Sequence, residues 1–580
     1  MLVVSDEEDF RVRPGKGRSR GSGTVRPQSL AAQVKRAAAR AGFARRAGGP
    51  SRGSGRLGRG RAASLAGRRS PASRRVVIKA RIVRHRGPRF RAAPLARHIA
   101  YLERDGVTRD GRDASMFDAR TDQADGKDFA ARCGDDRHHF RFIVSPEDAG
   151  ELADLRTFTR ELMDDAARDL GTRLDWVAVD HWNTDNPHVH VLVRGIAEDG
   201  VDLVIDRNYI AQGLRDRAEA RVTLELGPRS TREIVAALAR EVDAERWTSL
   251  DRLLLGRLDE NGLLDLRPDA TDADSRGERL LRGRIQKLER LGLASAAGPG
   301  EWVLKPGIED RLRDLGDRGD IIKTMHRAMQ GRPLHDGQLS IHPTGSPDPV
   351  IGRLVERGLH DELAGTAYAI VDGLDGRHHH LRFPDLELTG DAMPGAIVEL
   401  RQWEGRDGAP RHALAVRSDL PIEAQISARG ATWLDRQLLR PDASMTGLGF
   451  GAEVGAALRA REQHLIGEGL ARQQGGRILL QPRLIDTLRA AELQQATDAI
   501  AARTGLDRYS ASPGSVIAGT YRERVTLASG RFAMIDDGLG FQLVPWRPAL
   551  DGQLGQSVTG TVNAGGGIEW TIGRSRGLGI

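Results

Sequence analysis

Cysteine is almost absent from this 580-residue chain, and aromatic residues are scarce. The single cysteine, Cys133, excludes a disulfide framework and any zinc module built on several cysteines, and it is typical of a reducing cytoplasm. Aromatic residues make up only 4% of the chain, so the sequence gives no sign of an extended platform of stacked rings. No apolar run is long enough to cross a bilayer, which predicts that the protein does not insert into a membrane.

Basic residues are concentrated at one end of the chain. Residues 1–97 carry 26 Lys and Arg against 4 Asp and Glu, whereas the remainder carries 62 against 76. Residues 10–75 are rich in Arg, Gly, Ser and Ala and have few large apolar side chains, so they bury too little surface to offset the loss of chain entropy. We therefore predict a disordered basic arm over 1–73, which would bind a polyanion such as nucleic acid. The alternative is a tail that serves only solubility.

The rest of the chain predicts an α+β fold followed by a duplicated pair of modules. The first domain should be an antiparallel sheet with helices on one face, and each later pair should be a winged-helix-like module and a small β-barrel. The predicted domains are, in order, the sheet domain 74–245, the modules 246–330 and 345–416, and their repeats 420–505 and 514–574. The duplication rests on short echoes, such as Gly469-Leu470-Ala471 after Gly292-Leu293-Ala294.

Three histidines lie on two adjacent predicted strands. His181 follows the β-rich run 174–179, and His188 and His190 lie two apart at the start of the next apolar run. Alternate residues of a strand share a face, so His188 and His190 project together, and the polar loop 183–187 allows His181 to join them. Three neutral imidazoles that leave coordination positions open are typical of a catalytic metal site. The alternative is that each histidine is an ordinary core or surface residue.

Two further residues place this cluster in a familiar order. Tyr101 lies on the helix predicted after the first strand, and Ser145 ends the second strand, before the histidines. This order resembles the relaxases, or mobilisation nucleases, of conjugative plasmids, which are His-hydrophobe-His endonucleases, and in particular the branch of the T-DNA border-nicking enzyme. The resemblance covers residues 74–245. The remainder is similar to a C-terminal region of unknown function that is attached to many proteobacterial relaxases.

The resemblance implies a DNA relaxase that nicks and rejoins one strand at a plasmid origin of transfer, in support of conjugative mobilisation. Tyr101 would attack the scissile phosphate and form a covalent 5′-phosphotyrosyl intermediate. A divalent metal ion, Mg²⁺ or Mn²⁺, held by His181, His188 and His190 would polarise that phosphate. Keeping the bond energy in a tyrosyl ester allows the same site to rejoin the strand.

The resemblance also implies partners and a location. Ser145 falls where the second motif of the family contacts single-stranded DNA, and we predict that Arg97 and Trp182 also bind DNA. Accessory relaxosome proteins and a type IV secretion coupling protein are the predicted protein partners. The expected location is the bacterial cytoplasm.

The histidine region departs from the family pattern at two positions. Asn183 and Asn186 stand where many relatives have an acidic residue and a further histidine, which leaves the third metal ligand open. Asp180 and Asp185 could coordinate the metal, orient an imidazole or accept the tyrosine proton, and Asp180 is our candidate catalytic acid or base. Tyr209 is the reserve candidate for the nucleophile.

Three other functions fit parts of the sequence. A rolling-circle replication initiator uses similar chemistry, but its tyrosine generally follows the metal histidines, whereas Tyr101 precedes them. A hydrolase of the histidine-triad type would need a histidine at Leu192. A DNA-binding regulator without catalytic activity would need only the basic arm and the two winged-helix-like modules.

Overall fold

The computed structural model describes most of the chain between residues 58 and 571. Within this span it omits residues 67–69, 71, 86–92, 106–107, 113, 183–185, 268–275, 330–337, 344, 347–348, 406–407, 443, 510–511, 513 and 564–566. The described residues form two compact units. The first contains the chain up to Arg327 together with the turn Asp361–Ala364, and the second contains Ala328–His360 and the residues from Gly365 onward.

A four-stranded antiparallel sheet is the centre of the first unit. Its strands are β1 (Val76–Arg84), β2 (His138–Pro146), β3 (Trp176–His181) and β4 (His188–Arg194), in the order β1-β2-β4-β3. Strands β3 and β4 are apolar at positions that alternate to both faces, and all their residues but the last are buried. A sheet buried in this way requires cover on both sides.

Helices cover both faces of this sheet. The helices of this part of the unit are α1 (Arg61–Ala66), α2 (Ala93–Asp105), α3 (Gly126–Arg132), α4 (Leu155–Leu170) and α5 (Leu214–Leu226). Helices α2 and α3 pack on the face of Val177, Val179 and Leu192, whereas α4 and α5 pack on the opposite face, with Val189 and Val191. The prediction of helices on one face only is therefore wrong, because the strands carry apolar side chains on both.

The basic arm ends earlier than predicted. Residues 1–57 of the predicted arm lie outside the described residues. Arg59 forms a parallel bridge with Ile205, and helix α1 follows it, with Ala63 packed against the core of the first unit. Residues 58–66 therefore belong to the folded unit, because the backbone of Arg59 and the side chain of Ala63 have partners there.

Helices and a small sheet complete the first unit. They are α6 (Thr231–Val242), α7 (Ser249–Leu255), β5 (Leu263–Asp265), α8 (Arg276–Arg290), β6 (Ala294–Gly298), β7 (Glu301–Leu304) and α9 (Ile308–Ala328). The strands pair in the order β5-β7-β6, so the helices and hairpin predicted for 246–330 are present. Leu238 and Val242 of α6 pack on the core of this module. Both residues precede the boundary predicted at residue 245.

The second unit begins with a six-stranded sheet. Its strands are β8 (Leu339–His342), β9 (Ile351–Asp361), β10 (Thr366–Gly373), β11 (His378–Phe383), β12 (Ile397–Glu404) and β13 (Pro410–Ser418). They pair in the order β13-β12-β9-β10-β11-β8, and β8 runs parallel to β11. Among the described residues β13 and β8 remain edges, so the predicted barrel does not close.

A second helical module and sheet follow in the same order. The elements are α10 (Ile422–Ile426), α11 (Trp433–Leu439), α12 (Gly449–Gly467), β14 (Ala471–Gln474), β15 (Arg477–Leu480), α13 (Leu484–Thr504), β16 (Asp507–Arg508), β17 (Val516–Leu527), β18 (Gly530–Asp536), β19 (Gly540–Pro545), β20 (Ser557–Val562) and β21 (Ile568–Trp570). The last six strands form an open sheet in the described residues, in the order β16-β19-β18-β17-β20-β21. The second predicted barrel is thus also an open sheet.

The two helical modules repeat an unusual buried ion pair. Arg284 of α8 donates to both oxygens of Asp251, at 2.7 and 2.8 Å, and Arg461 of α12 donates to both oxygens of Asp435, at 2.8 and 2.9 Å. Both arginines are fully buried. Each aspartate also closes a capping box at the start of its helix. The shared arrangement supports the predicted duplication of the helical module.

No helix in the described part of the chain combines the length and the apolar character that a bilayer crossing requires.

Candidate metal centre

The antiparallel register of β3 and β4 brings three histidines together. His181 lies directly opposite His188, and His190 lies opposite Val179 on the same face of the sheet. The ring centroids are 5.3 Å apart for His181 and His188, 4.7 Å for His181 and His190, and 4.9 Å for His188 and His190. All three side chains are buried. The strand alternation that predicted a common face therefore produces a compact cluster.

A carboxylate from far along the chain joins the histidines. The Glu362 Oε2 atom lies 2.9 Å from His190 Nε2 and 3.3 Å from His188 Nε2. Glu362 lies in the turn Asp361–Ala364, which belongs to the first unit. His181, His188, His190 and Glu362 each offer one ligand atom, and these atoms all lie within 4.8 Å of one another.

Backbone carbonyls orient two of the imidazoles. The His188 Nδ1–H group donates to the Asn186 carbonyl at 3.0 Å, and the His181 Nε2–H group donates to the Leu102 carbonyl at 3.0 Å. With those protons placed, His188 Nε2 and His181 Nδ1 keep free lone pairs. Hydrogen bonds of this kind fix the tautomer and the ring orientation of histidines that bind metals.

Burial and contacts within the cluster shift the pKa values of His181, His190 and Glu362. Burial lowers the pKa of His181 to about 3, and the neighbouring histidines add to this effect. Burial also lowers the pKa of His190, although Glu362 acts in the opposite direction. Burial alone would raise the pKa of Glu362, but His190 and His188 hold it well below its usual value. At neutral pH His181 and His190 therefore offer neutral nitrogens, and Glu362 offers a carboxylate.

The cluster fits a divalent cation. His188 Nε2 and His190 Nε2 are 3.1 Å apart, a distance at which two lone pairs need a proton or a cation between them. Glu362 Oε2 is buried and makes no hydrogen bond of good geometry with any described residue. A carboxylate oxygen without a hydrogen bond of good geometry is costly to bury, and a bound cation would offset that cost. The four residues could therefore hold a metal ion.

Helix α2, which carries Tyr101, lies on the histidine face of the sheet. The Leu102 carbonyl accepts the His181 hydrogen bond, and half-buried Tyr101 packs on the core that contains Val179. Tyr209 lies in the core of the opposite face, where its hydroxyl donates to Asp169 at 2.9 Å and burial raises its pKa. The structure brings the helix of Tyr101 to the cluster and keeps Tyr209 away from it.

Asp180 points to the opposite face from the histidines. Its Oδ1 accepts from Arg156 Nε at 2.8 Å, and its Oδ2 accepts from Trp182 Nε1 at 2.8 Å. The guanidinium of Arg109 lies over the Trp182 ring, 5.2 Å from its centroid. Asp180 is therefore not brought to the cluster, and its carboxylate holds Trp182 and Arg156 in place. Asp185 lies outside the described residues.

The other predicted DNA-binding residues have different surroundings. Ser145 is buried at the end of β2, and its hydroxyl donates to the Pro187 carbonyl at 3.2 Å, immediately before His188. This bond ties the second strand to the loop that precedes the histidine pair. The side chain of Arg97 lies outside the described part of the chain.

Two arginines that were not among the predicted site residues lie on the histidine face of the sheet. Arg81 of β1 lies opposite Arg141 of β2, on the face that also carries His190. Burial and nearby Arg81 lower the pKa of Arg141 to about 10. Burial, Arg141 and His190 lower the pKa of His98, on α2, well below its usual value. Strand alternation could have identified Arg81 and Arg141, whereas no local pattern marks Glu362.

One family model matches the chain. The family described as "Protein of unknown function (DUF3363)" matches residues 281–413 and 401–579. Together these matches span residues 281–579, which is just over half of the chain. No curated protein and no solved structure matches it. The chain therefore belongs to the DUF3363 family.

Proposed function

We propose that the chain is a DNA relaxase, a metal-dependent tyrosine endonuclease and strand transferase that acts at a plasmid origin of transfer. The observation that carries this proposal is the convergence of His181, His188 and His190 beside the helix of Tyr101. The histidine face also carries Arg81 and Arg141, which suits a substrate made of phosphates. The family of the C-terminal half is compatible with this function but does not specify it.

The histidine cluster would act directly on the scissile phosphate. When bound, a divalent ion such as Mg²⁺ or Mn²⁺ would polarise that phosphate and balance its added charge. His181 and His190 hold neutral nitrogens ready for it, because burial lowers their pKa values. The carbonyl hydrogen bonds of His181 and His188 leave a nitrogen lone pair on each of these rings for the ion. The buried setting strengthens each electrostatic contact with a bound phosphate.

Tyr101 is the proposed nucleophile. Its phenolic oxygen attacks phosphorus as it loses its proton, and the bond from phosphorus to the 3′-oxygen breaks. The 3′-oxygen takes up a proton and leaves as a hydroxyl, and the downstream fragment stays on the tyrosine through its 5′-phosphate. The released 3′-hydroxyl can later attack the phosphotyrosyl ester and restore the strand. A phenol is a weak nucleophile near neutral pH, so the reaction depends on charge stabilisation at the phosphate.

The surroundings of the site have supporting roles in this proposal. Ser145 holds the Pro187 carbonyl, which fixes the start of β4, and Asp180 holds Trp182 at the edge of the sheet. Arg97 and Trp182 contact the single strand. The helical modules and open sheets of the C-terminal half bind accessory relaxosome proteins or a secretion coupling protein in the bacterial cytoplasm.

Covalent transfer of DNA to the protein tests the proposal. A pool of random single-stranded oligonucleotides labelled at the 3′ end is incubated with the full chain and Mn²⁺, and complexes that resist SDS are separated. Because the fragment downstream of the cut stays on tyrosine through its 5′-phosphate, only a 3′ label should move to the protein. Tyr101→Phe should abolish the adduct, and the exposed Tyr509→Phe should serve as its matched control.

Three results would contradict this assignment. They are label transfer from the 5′ end, an adduct that survives Tyr101→Phe, and salt-sensitive DNA binding without adduct or metal dependence. The last result would instead indicate a DNA-binding regulator.

A further inference from the structure

The turn Asp361–Ala364 contacts the histidine face at two places. Glu362 brings its carboxylate to His188 and His190, and Arg81 donates hydrogen bonds to the carbonyls of Leu363 and Ala364. The turn therefore presents a carboxylate oxygen to the histidine cluster. It also presents two carbonyl oxygens to the arginine beside that cluster. A nucleic acid backbone would present its phosphate oxygens to the same groups.

The turn is built to hold this shape. The Asp361 carboxylate accepts the N–H groups of Leu363 and Ala364 at 2.9 and 2.8 Å. Gly365 follows with a φ of 73°, a backbone conformation that glycine adopts without steric cost. An aspartate that bonds to the backbone two and three residues ahead is a common turn-forming device. Glu362 therefore projects from a turn whose backbone is held by hydrogen bonds.

The carboxylate of Glu362 is buried without a hydrogen bond of good geometry to any described residue. Its Oε2 atom is buried, lies close to two imidazole nitrogens and has no hydrogen bond of good geometry. We propose that Glu362 is a fourth protein ligand of the metal ion. We further propose that a phosphate oxygen of the nucleic acid replaces it when substrate binds.

The exchange is favoured by charge and by ligand chemistry. A carboxylate and a phosphodiester each carry one negative charge and offer oxygen donors, so the exchange leaves the charge of the site unchanged. Among the described residues, Arg81 and Arg141 have no carboxylate within ion-pair distance. Like charges directly opposite on paired strands destabilise a sheet, and a phosphate between the two arginines would relieve that repulsion.

The role of Glu362 as a metal ligand and its exchange for phosphate have different requirements. The exchange rests on the proposed function, because it assumes a phosphodiester substrate. The role of Glu362 as a ligand needs only the cluster itself. Separate measurements of metal binding and DNA binding therefore distinguish the two parts, and neither requires nicking.

Metal affinity tests the ligand role. Calorimetric titration of the metal-free full chain with Mn²⁺ compares the wild type with Glu362→Gln, Glu362→Ala and the exposed Glu260→Gln as a matched control. Loss of a carboxylate ligand should weaken Mn²⁺ binding by about tenfold or more in both Glu362 variants, whereas Glu260→Gln should match the wild type. Wild-type affinity in both Glu362 variants would overturn the ligand role.

DNA affinity at saturating Mn²⁺ tests the exchange. The anisotropy of a labelled single-stranded oligonucleotide pool should show binding at least about threefold tighter for Glu362→Ala than for the wild type, because an internal competitor has been removed. With a chelator in place of Mn²⁺, the difference should shrink. Equal DNA affinities with saturating Mn²⁺ would overturn the exchange while leaving the ligand role intact. Failure of Tyr101 to form an adduct would reject the proposed function without changing either measurement.

Discussion

The chemistry of the candidate site depends on the protonation states of the side chains that form the cluster. The buried imidazoles of His181 and His190 stay neutral because the protein offers little solvation to their charged form. The carbonyl contacts of His181 and His188 determine which ring nitrogen of each carries a proton. Glu362 stays ionised because His190 and His188 outweigh the cost of its burial. A cation added to this cluster meets ligands already in their binding forms, so little reorganisation opposes it.

Replacement of His188 should separate metal binding from non-specific DNA binding. His188→Ala removes a buried donor at the centre of the cluster, so we expect Mn²⁺ affinity to fall by about 100-fold or more. Salt-sensitive binding to random DNA should stay largely intact, because the basic N-terminal segment supplies much of it. Calorimetry and anisotropy measure the two effects, with the exposed His326→Ala as the control. An equal loss of both in a folded variant would contradict this division.

The metal-free protein should lose stability as the pH falls below about 6.5. An unfolded histidine titrates near 6.5, whereas burial lowers the pKa of His181 to about 3. Between these values the unfolded chain binds a proton that the folded chain does not. The free energy of unfolding therefore decreases with falling pH, by up to about 1.4 kcal/mol per pH unit for this residue.

Urea unfolding in the presence of a chelator, followed by tryptophan fluorescence between pH 7 and pH 4, measures this slope. His181→Gln removes the titrating group, so its stability should decline less steeply than that of the wild type. Parallel slopes for the two proteins would show that His181 does not carry this proton linkage.

At the scale of residues, the sequence predicted the site side chains that lie on one pair of adjacent strands. It did not predict the site side chain that a distant segment of the chain contributes. Alternation fixed the common face of His188 and His190, and a short loop sufficed to add His181. Glu362 comes from a turn between two later strands, and only long-range packing sets its position. Asp180 has a carboxylate near the histidines in sequence, but alternation turns it to the opposite face.

At the scale of elements, the two buried Arg–Asp pairs organise the repeated helical modules. Each aspartate caps its own helix and accepts both arms of an arginine from a second helix. Arg284 also donates to the Arg246 carbonyl, and Arg461 donates to the Gly430 carbonyl. One guanidinium thus connects a helix to the loop before the capped helix, and the same connection occurs in both modules.

Removing either aspartate should strongly destabilise its module. Asp251→Ala and Asp435→Ala each leave a buried arginine without its counter-ion, which should cost about 3–5 kcal/mol. The double change Arg461→Met with Asp435→Leu should cost less, because no charge remains buried. Chemical denaturation of the full chain measures both effects. The exposed pair Arg508 and Asp498 is the control, and its removal should change stability by about 0–1 kcal/mol.

Element order was easier to predict than the closure of sheets. The helices, hairpins and strand-rich segments occur in the predicted order. Gly292-Leu293-Ala294 and the similar Gly469-Leu470-Ala471 each lead into the first strand of a hairpin. A stronger sign of similarity between the two helical modules is the pattern L-R-x-R, which occurs at Leu281–Arg284 and again at Leu458–Arg461. Strand periodicity does not determine which edge strands pair. The two predicted barrels are therefore open sheets among the described residues, a difference that the sequence pattern could not reveal.

At the scale of the whole molecule, the basic residues are concentrated towards the N-terminal end of the chain. Residues 1–57 carry 13 Lys and Arg against 4 Asp and Glu, and the basic stretch continues into the strands of the first unit. Composition predicted the basic segment, but it could not show that Arg59 and helix α1 join the folded unit. Their contacts depend on residues near Ile205, which are distant in sequence.

Truncation at residue 57 should weaken DNA binding without removing the metal site. Loss of the N-terminal cations should reduce the slope of the logarithm of the affinity against the logarithm of the salt concentration, because fewer counterions are released. Mn²⁺ affinity should not change, since the four ligands remain. Truncation at residue 73 should additionally destabilise the first unit, because it removes Arg59 and helix α1. An unchanged salt slope after truncation at residue 57 would reject a DNA-binding role for this segment.

The most direct measurement is the position of Mn²⁺ in crystals of the full chain, located by anomalous scattering. We predict one ion bound by His181, His188, His190 and Glu362, at about 2.0–2.3 Å from each ligand atom. An ion bound elsewhere, or an empty cluster at saturating Mn²⁺, would contradict the metal centre and the nuclease chemistry that depends on it.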